Sequence, residues 1–185
     1  MIIEVKKIAK EQKIKIPDLI TRPVGRALYE RVRSNLQFLT DGEVVLLDFE
    51  GIMVMDTSFI DEFLVKIILD SRKESPDFFV KAINLSEISI MNIESVFNSY
   101  YQNNNDVMAV ITDRLVNKSY YVGYLGDEDR DVINYMNINK IVRPEDIASF
   151  LDLEMGETVG ILDRLYKKRL IRKMQESSGV SYQFL

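Results

Sequence analysis

The chain contains no cysteine and no histidine. Disulfides and thiolate nucleophiles are therefore excluded, as are Cys/His zinc sites and any triad built on a histidine base. The lack of cysteine fits a reducing compartment. Long apolar runs are missing too: no stretch approaches the ~18 residues of a membrane span. The opening "MIIEVKKIAKEQKIKI" alternates charge with aliphatics and lacks the continuous apolar region of a signal peptide. A soluble cytoplasmic protein with no membrane partner is expected. Net positive charge is absent as well. The formal charge is -5 and the pI near 5.0, so any nucleic-acid contact has to come from a local patch. There is no internal repeat, no low-complexity segment, no phosphate-cradling glycine loop and no visible nucleophile–base pair. Neither an enzyme nor a cofactor is expected.

What is present is ordinary globular composition, 46% hydrophobic and 29% charged over 185 residues, enough for one large domain or two small ones. "MIIEVKKIA" begins like a strand. "TRPVGRALYERVRSNLQFL" reads as a helix, with Thr21 as cap, Pro23 in the first turn, and Val24, Leu28, Val32 and Leu36 repeating every four residues. Asp41-Gly42 marks a turn. "VVLLDF" is a continuous apolar run, as expected of a central strand covered on both faces. Phe59, Ile60, Phe63, Leu64, Ile67 and Ile68 then form a helical stripe of period 3.6. "DFFVKAIN" is a strand, "EISIMNIESVFNSYY" a helix and "VMAVIT" a strand. This alternation predicts an α/β layer with a mixed or mostly parallel sheet.

Beyond residue 117 the pattern changes. "EDRDVINYMN" is a helix, Pro144 opens another, a turn containing Gly156 leads into "ETVGILDRLYKKRL", and two short strands flank a Ser-Ser-Gly turn. Helix, helix, turn, helix, hairpin is winged-helix order. The expected division is an α/β domain over 1–116, a connecting strand or linker over 117–126, and a winged-helix domain over 127–185. Val159, Leu162, Leu165 and Leu170 are its predicted core.

Residues 44–69 resemble the STAS superfamily, the fold of bacterial anti-sigma-factor antagonists and of sulfate-transporter tails. The strand end reads Asp48-Phe49, and the motif that opens the following helix reads Asp56-Thr57-Ser58-Phe59-Ile60. "TRPVGRALYERV", "DFEGI" and "TSFIDEF" are more similar still to STAS-like bacterial domains of unassigned function, over about residues 20–69. In the antagonists the hydroxyl directly after the aspartate is phosphorylated. The resemblance therefore implies Thr57 as a candidate phosphoacceptor, with Ser58 beside it and a kinase among the partners. Phe59 departs from the family, which has glycine there. Residues 146–171 resemble winged-helix regulators, with Arg169 where glycine commonly ends the recognition helix.

Each candidate has a plainer alternative. Asp56, Thr57 and Ser58 also suit a helix start, with Ser58 as cap and Asp61 and Glu62 favourable in the first turn. Arg22, Asp56 and Asp61 are candidate contacts for a partner or ligand. Arg22 and Arg26 equally suit surface ion pairing, with Gly25 between them permitting close helix packing. Thr158, Arg164, Lys167, Lys168 and Lys173 are candidate DNA contacts, although residues 106–185 hold 11 basic and 13 acidic side chains. Tyr120, Tyr121 and Tyr124 suggest a strand with an aromatic face at a seam between domains. Asp127, Glu128, Asp129 and Asp131 raise the idea of a cation, but their spacing fits no calcium loop.

The expectation is a non-enzymatic bacterial regulator. A STAS-like module would bind a regulatory protein and signal through a winged helix. A homodimer is left open. The alternatives are a DNA-binding transcription regulator, and a small-molecule sensor or an enzyme using only carboxylates and tyrosine.

Overall fold

The computed structural model describes the chain except residues 74–76, 114, 115, 177 and 178, so the Ser177-Ser178 turn lies outside the described residues. The chain divides into two compact units, Met1–Tyr124 and Leu125–Leu185. It is mixed α/β with a mostly parallel central sheet and, among the described residues, seven helices. No described helix is long and apolar enough to cross a membrane.

The first unit is built on a sheet of β1 (Ile2–Glu4), β3 (Glu43–Asp48), β5 (Phe78–Ile83), β6 (Ala109–Asp113) and β7 (Lys118–Val122), in that order. The first four strands are mutually parallel and β7 runs antiparallel on β6. The register aligns Ile3, Leu47, Ala82, Ile111 and Tyr120 in one rung. This face joins a single hydrophobic core with residues of α1 (Val5–Glu11), α2 (Arg22–Leu36), α3 (residues 57–71) and α4 (Glu87–Gln102). Strand β3 is interior, flanked by β1 and β5, and the middle strand is β5. The expectation that it is covered on both faces is corrected. Val45 and Leu47 are buried while Val44 and Leu46 are half-exposed, which is the alternation of a strand with one core face.

Helix α3 is continuous over residues 57–71 but not regular. Thr57–Ile60 is α-helical, Asp61–Val65 is π-helical, and Lys66–Ser71 is α-helical again. The expected stripe of period 3.6 is thus interrupted. Phe59, Phe63, Leu64 and Ile67 are buried as expected, and the wider π turn adds Glu62 and Val65 to the buried set. Phe63 stacks on Phe59 at 5.1 Å and meets Phe49 edge-on at 6.3 Å.

A second small sheet pairs β2 (Asp18–Leu19) with β4 (Val54–Met55) in parallel. It sets the approach to α3. Ser89 Oγ accepts the Met55 N–H at 3.1 Å, and Asn92 Nδ2 donates to the Met55 carbonyl at 2.8 Å. The chain just before the helix is therefore clamped to α4.

The second unit runs α5 (Asp127–Asn139), β8 (Ile141–Val142), α6 (Pro144–Leu151), α7 (Met155–Lys167), β9 (Ile171–Glu176) and β10 (Gly179–Phe184). Its antiparallel sheet has the order β8-β10-β9. Leu162, Leu165 and Leu170 are buried, but Val159 is 38% exposed, and Thr158 and Ile161 take the core positions instead. The helix is rotated from the expected face because Thr158 can be buried without an orphaned hydroxyl: its Oγ1 donates to the Glu154 carbonyl at 3.1 Å. Gly156 lies inside the first turn of α7, and the tight turn is made earlier, by Asp152 in the left-handed region (φ 54°). Arg169 takes a left-handed conformation (φ 62°) after α7, the geometry that glycine would favour.

Candidate functional site

Asp56, Thr57 and Ser58 sit where the clamped strand β4 turns into α3. Three potential caps in a row leave the choice to tertiary geometry, and it falls on Asp56. Its Oδ1 accepts the Phe59 N–H at 2.7 Å. Its Oδ2 accepts the Thr21 N–H at 3.0 Å. One carboxylate therefore ties the start of α2 to the start of α3. The expectation that Ser58 caps the helix is corrected, since that place is already taken. Thr21 does stand before α2, but its side chain makes no capping bond. It adopts φ 77°, an uncommon conformation for a β-branched residue, and its N–H is held by Asp56.

With Asp56 engaged, the two hydroxyls are left to the surface. Thr57 is exposed and Ser58 is half-buried. Both line an open cleft of about 340 Å³ together with Arg22, Asp61, Ser95, Val96, Ser99 and Tyr100. Ser95 and Ser99 are one turn apart on α4 and both exposed, so the far wall also presents hydroxyls. The cleft thus combines hydroxyl groups with one guanidinium. The sequence does not single out the serines and Tyr100; their one signal is a pair of serines four apart on an amphipathic helix that carries other polar residues as well.

The guanidinium is held in place. Arg22 Nη1 donates to Asp61 Oδ2 at 2.6 Å and to Glu62 Oε1 at 3.1 Å. Asp61 Oδ1 accepts the Tyr100 hydroxyl at 2.6 Å, so both oxygens of Asp61 are engaged. Glu62 is buried and also meets Lys66 and, at 3.6 Å, Arg26. The Lys66 hydrogen bond, with those of Arg22 and Arg26, holds the Glu62 carboxyl down at about 2 against its burial. Burial and the Asp61 hydrogen bond push the Tyr100 hydroxyl up to about 12. Neither group exchanges a proton near neutrality, as a general acid or base there must. The arrangement is suited to binding and hydrogen bonding.

Gly25 makes this network possible. A Cβ there would lie 2.9 Å from Glu62 Cβ and 3.0 Å from the Phe59 carbonyl, so α2 crosses α3 where no side chain intervenes. The close packing expected at Gly25 and the ion pairing of Arg22 and Arg26 are both present.

The DNA-contact candidates on the second unit scatter. Thr158 is fully buried and cannot reach a groove, which removes it from that set. Arg164 is turned onto α5, donating to Asp129 at 2.8 Å with Glu128 at 3.6 Å. Lys167 and Lys173 are exposed, and Lys168 is half-buried. The acids in the first turn of α5 are used in the same way: Asp127 pairs with Arg130 and Asp129 with Arg164. Tyr120 and Tyr121 stand on β7, and Tyr124 stacks on Tyr101 at 4.1 Å.

Comparison with family models, with curated proteins and with solved structures finds no match to this chain.

Proposed function

We propose that the chain is a non-enzymatic cytoplasmic regulatory protein, a STAS-like partner-binding module coupled to a winged-helix unit. The observation that carries this reading is the exposed Thr57 lining a cleft in which Arg22, among the described residues the cation of the lining, is held by two carboxylates. A phosphate placed on Thr57 would compete with Asp61 for Arg22 and would itself be repelled by Asp61. Either response changes the charge and shape presented to a partner, which is how a local modification switches an interface.

The STAS-like assignment is supported by a parallel strand ending in Asp48-Phe49, a short connection, and an Asp-Thr-Ser junction opening a helix against the sheet. The winged-helix assignment is supported by the order α5-β8-α6-α7-β9-β10 with a three-stranded sheet. A DNA-binding regulator gains little: of its five candidate contacts, Thr158 is buried and Arg164 is paired.

Peptide mapping by mass spectrometry of the chain purified from its native host tests this reading. A phosphate on Thr57 is expected, and it should disappear in Thr57→Ala. A chain that stays unmodified at Thr57 while its partners are engaged and released would contradict the switch.

A further inference from the structure

Between residues 144 and 163 the sequence has six acidic side chains and no basic one. Glu145, Asp146, Asp152, Glu154, Glu157 and Asp163 are all exposed. These residues make up α6, the turn after it, and most of α7. The first cation beyond the run, Arg164, does not neutralise it, because Asp129 and Glu128 of α5 hold its guanidinium. Asp146 accepts the Arg143 N–H at 3.0 Å as part of the helix start, and among the described residues none of the six carboxylates has an ion-pair partner. So many acids along a helix-turn-helix repel a phosphate backbone.

The same surface carries apolar groups that the core does not use. Met155 and Val159 lie one turn apart on α7, 44% and 38% exposed. Gly156 and Gly160 run beside them, and a Cβ built on either would meet nothing within 4 Å. Apolar side chains bordered by acids match the chemistry of a helix with one apolar face and flanking lysines or arginines. The aliphatic stems of such residues cover apolar surface while their charged ends reach the carboxylates. Complementary charge of this kind also steers encounter and selects the partner.

We propose that the solvent face of α7, with the acidic turn before it, is the docking surface for a cationic amphipathic helix of a partner protein. The surface shares no residue with the Thr57 cleft, and the inference stands whether or not Thr57 is modified.

The test uses the full-length protein and a fluorescent synthetic helix with leucines on one face and lysines along its borders, read by anisotropy at physiological salt. Saturable binding is expected. Glu157→Lys combined with Asp163→Lys should weaken it about tenfold or more, as reversing interface charges does, while a cooperative thermal melt shows that the protein stays folded. Gly160→Gln should raise the melting temperature, by removing a mid-helix glycine, and yet weaken binding. If the double variant does not fold, Val159→Asn alone carries the test and should weaken binding. The proposal is overturned if the peptide does not bind, or if a scrambled peptide of equal charge binds as well. It is also overturned if these variants bind normally, or if duplex DNA binds more tightly than the peptide. Self-association that the double variant abolishes would assign the face to a second copy instead and also overturn it.

Discussion

In the N-terminal unit the buried carboxylate of Glu62 meets Arg22, Arg26 and Lys66, whereas six acids of the C-terminal unit face solvent with no cation among them. Both regions are rich in charge, but the charges do different things. Around Glu62 they are satisfied inside the molecule and fix the crossing of α2 over α3. Along α6 and α7 they face solvent. A surface charge is informative when its partner is missing, and a buried one when several partners converge on it.

Breaking the first region should cost stability. The largest loss is expected for Phe63→Ala, about 3–5 kcal/mol, because the ring is fully buried between Phe49 and Phe59 and its removal leaves a cavity. Urea unfolding measures it, and a loss below about 1 kcal/mol would show that α3 is not seated as described. Next comes Glu62→Ala at about 1–3 kcal/mol, since it takes their carboxylate from Lys66 and Arg26, while Arg22 keeps Asp61. The pH dependence follows from the same group. The Glu62 carboxyl is held at about 2, below its ordinary value. Its contribution is therefore complete above the unfolded-state value near 4.5, and is lost as pH falls from there through 2. The melting temperature of the wild type should fall over that window more steeply than that of Glu62→Ala.

Smaller effects separate the three residues of the helix start. Asp56→Ala should cost about 1–2 kcal/mol, as a lost cap does, whereas Ser58→Ala should cost distinctly less. Thr57→Ala should stay within about 0.5 kcal/mol of the wild type, as exposed substitutions do. A thermal melt of all three checks the order, and a larger loss at Ser58 than at Asp56 would reverse the assignment of the cap. In the C-terminal unit Glu157→Lys should cost about 0.3–1 kcal/mol, the loss of an acid from the first turn of α7, and less than Glu62→Ala. That contrast with Glu62 is what sharpens the comparison.

The alternation of strands and helices was legible because Val45, Leu47 and Phe49, and then Phe59, Phe63 and Ile67, follow the two periods closely. Helix α1 was not, although Val5, Ile8 and Ala9 have helical spacing. It is only seven residues long, abuts β1 without a break, and has no side-chain cap. The choice of Asp56 over Ser58 could not be read locally, since it depends on an N–H 35 residues away in sequence. The buried face of α7 is not legible in the sequence, because a threonine that bonds the preceding turn can pack inward, as Thr158 does, while Val159 faces out. The π turn has no counterpart in the residue pattern, and it is what brings Asp61 to the cleft and Glu62 to α2 in successive positions. The cleft was half-legible: Arg22, Thr57, Ser58 and Asp61 were singled out, but the α4 wall was not.

We propose that Thr57 is a switch and not merely part of a helix start. Quantitative affinity capture from host extract with wild type, Thr57→Ala and Thr57→Glu tests it directly, with melting temperatures confirming that all three fold. At least one protein should be retained by wild type and Thr57→Ala and lost with Thr57→Glu, because an uncompensated charge at an interface is expensive to desolvate. Identical sets of captured proteins for all three would contradict the account.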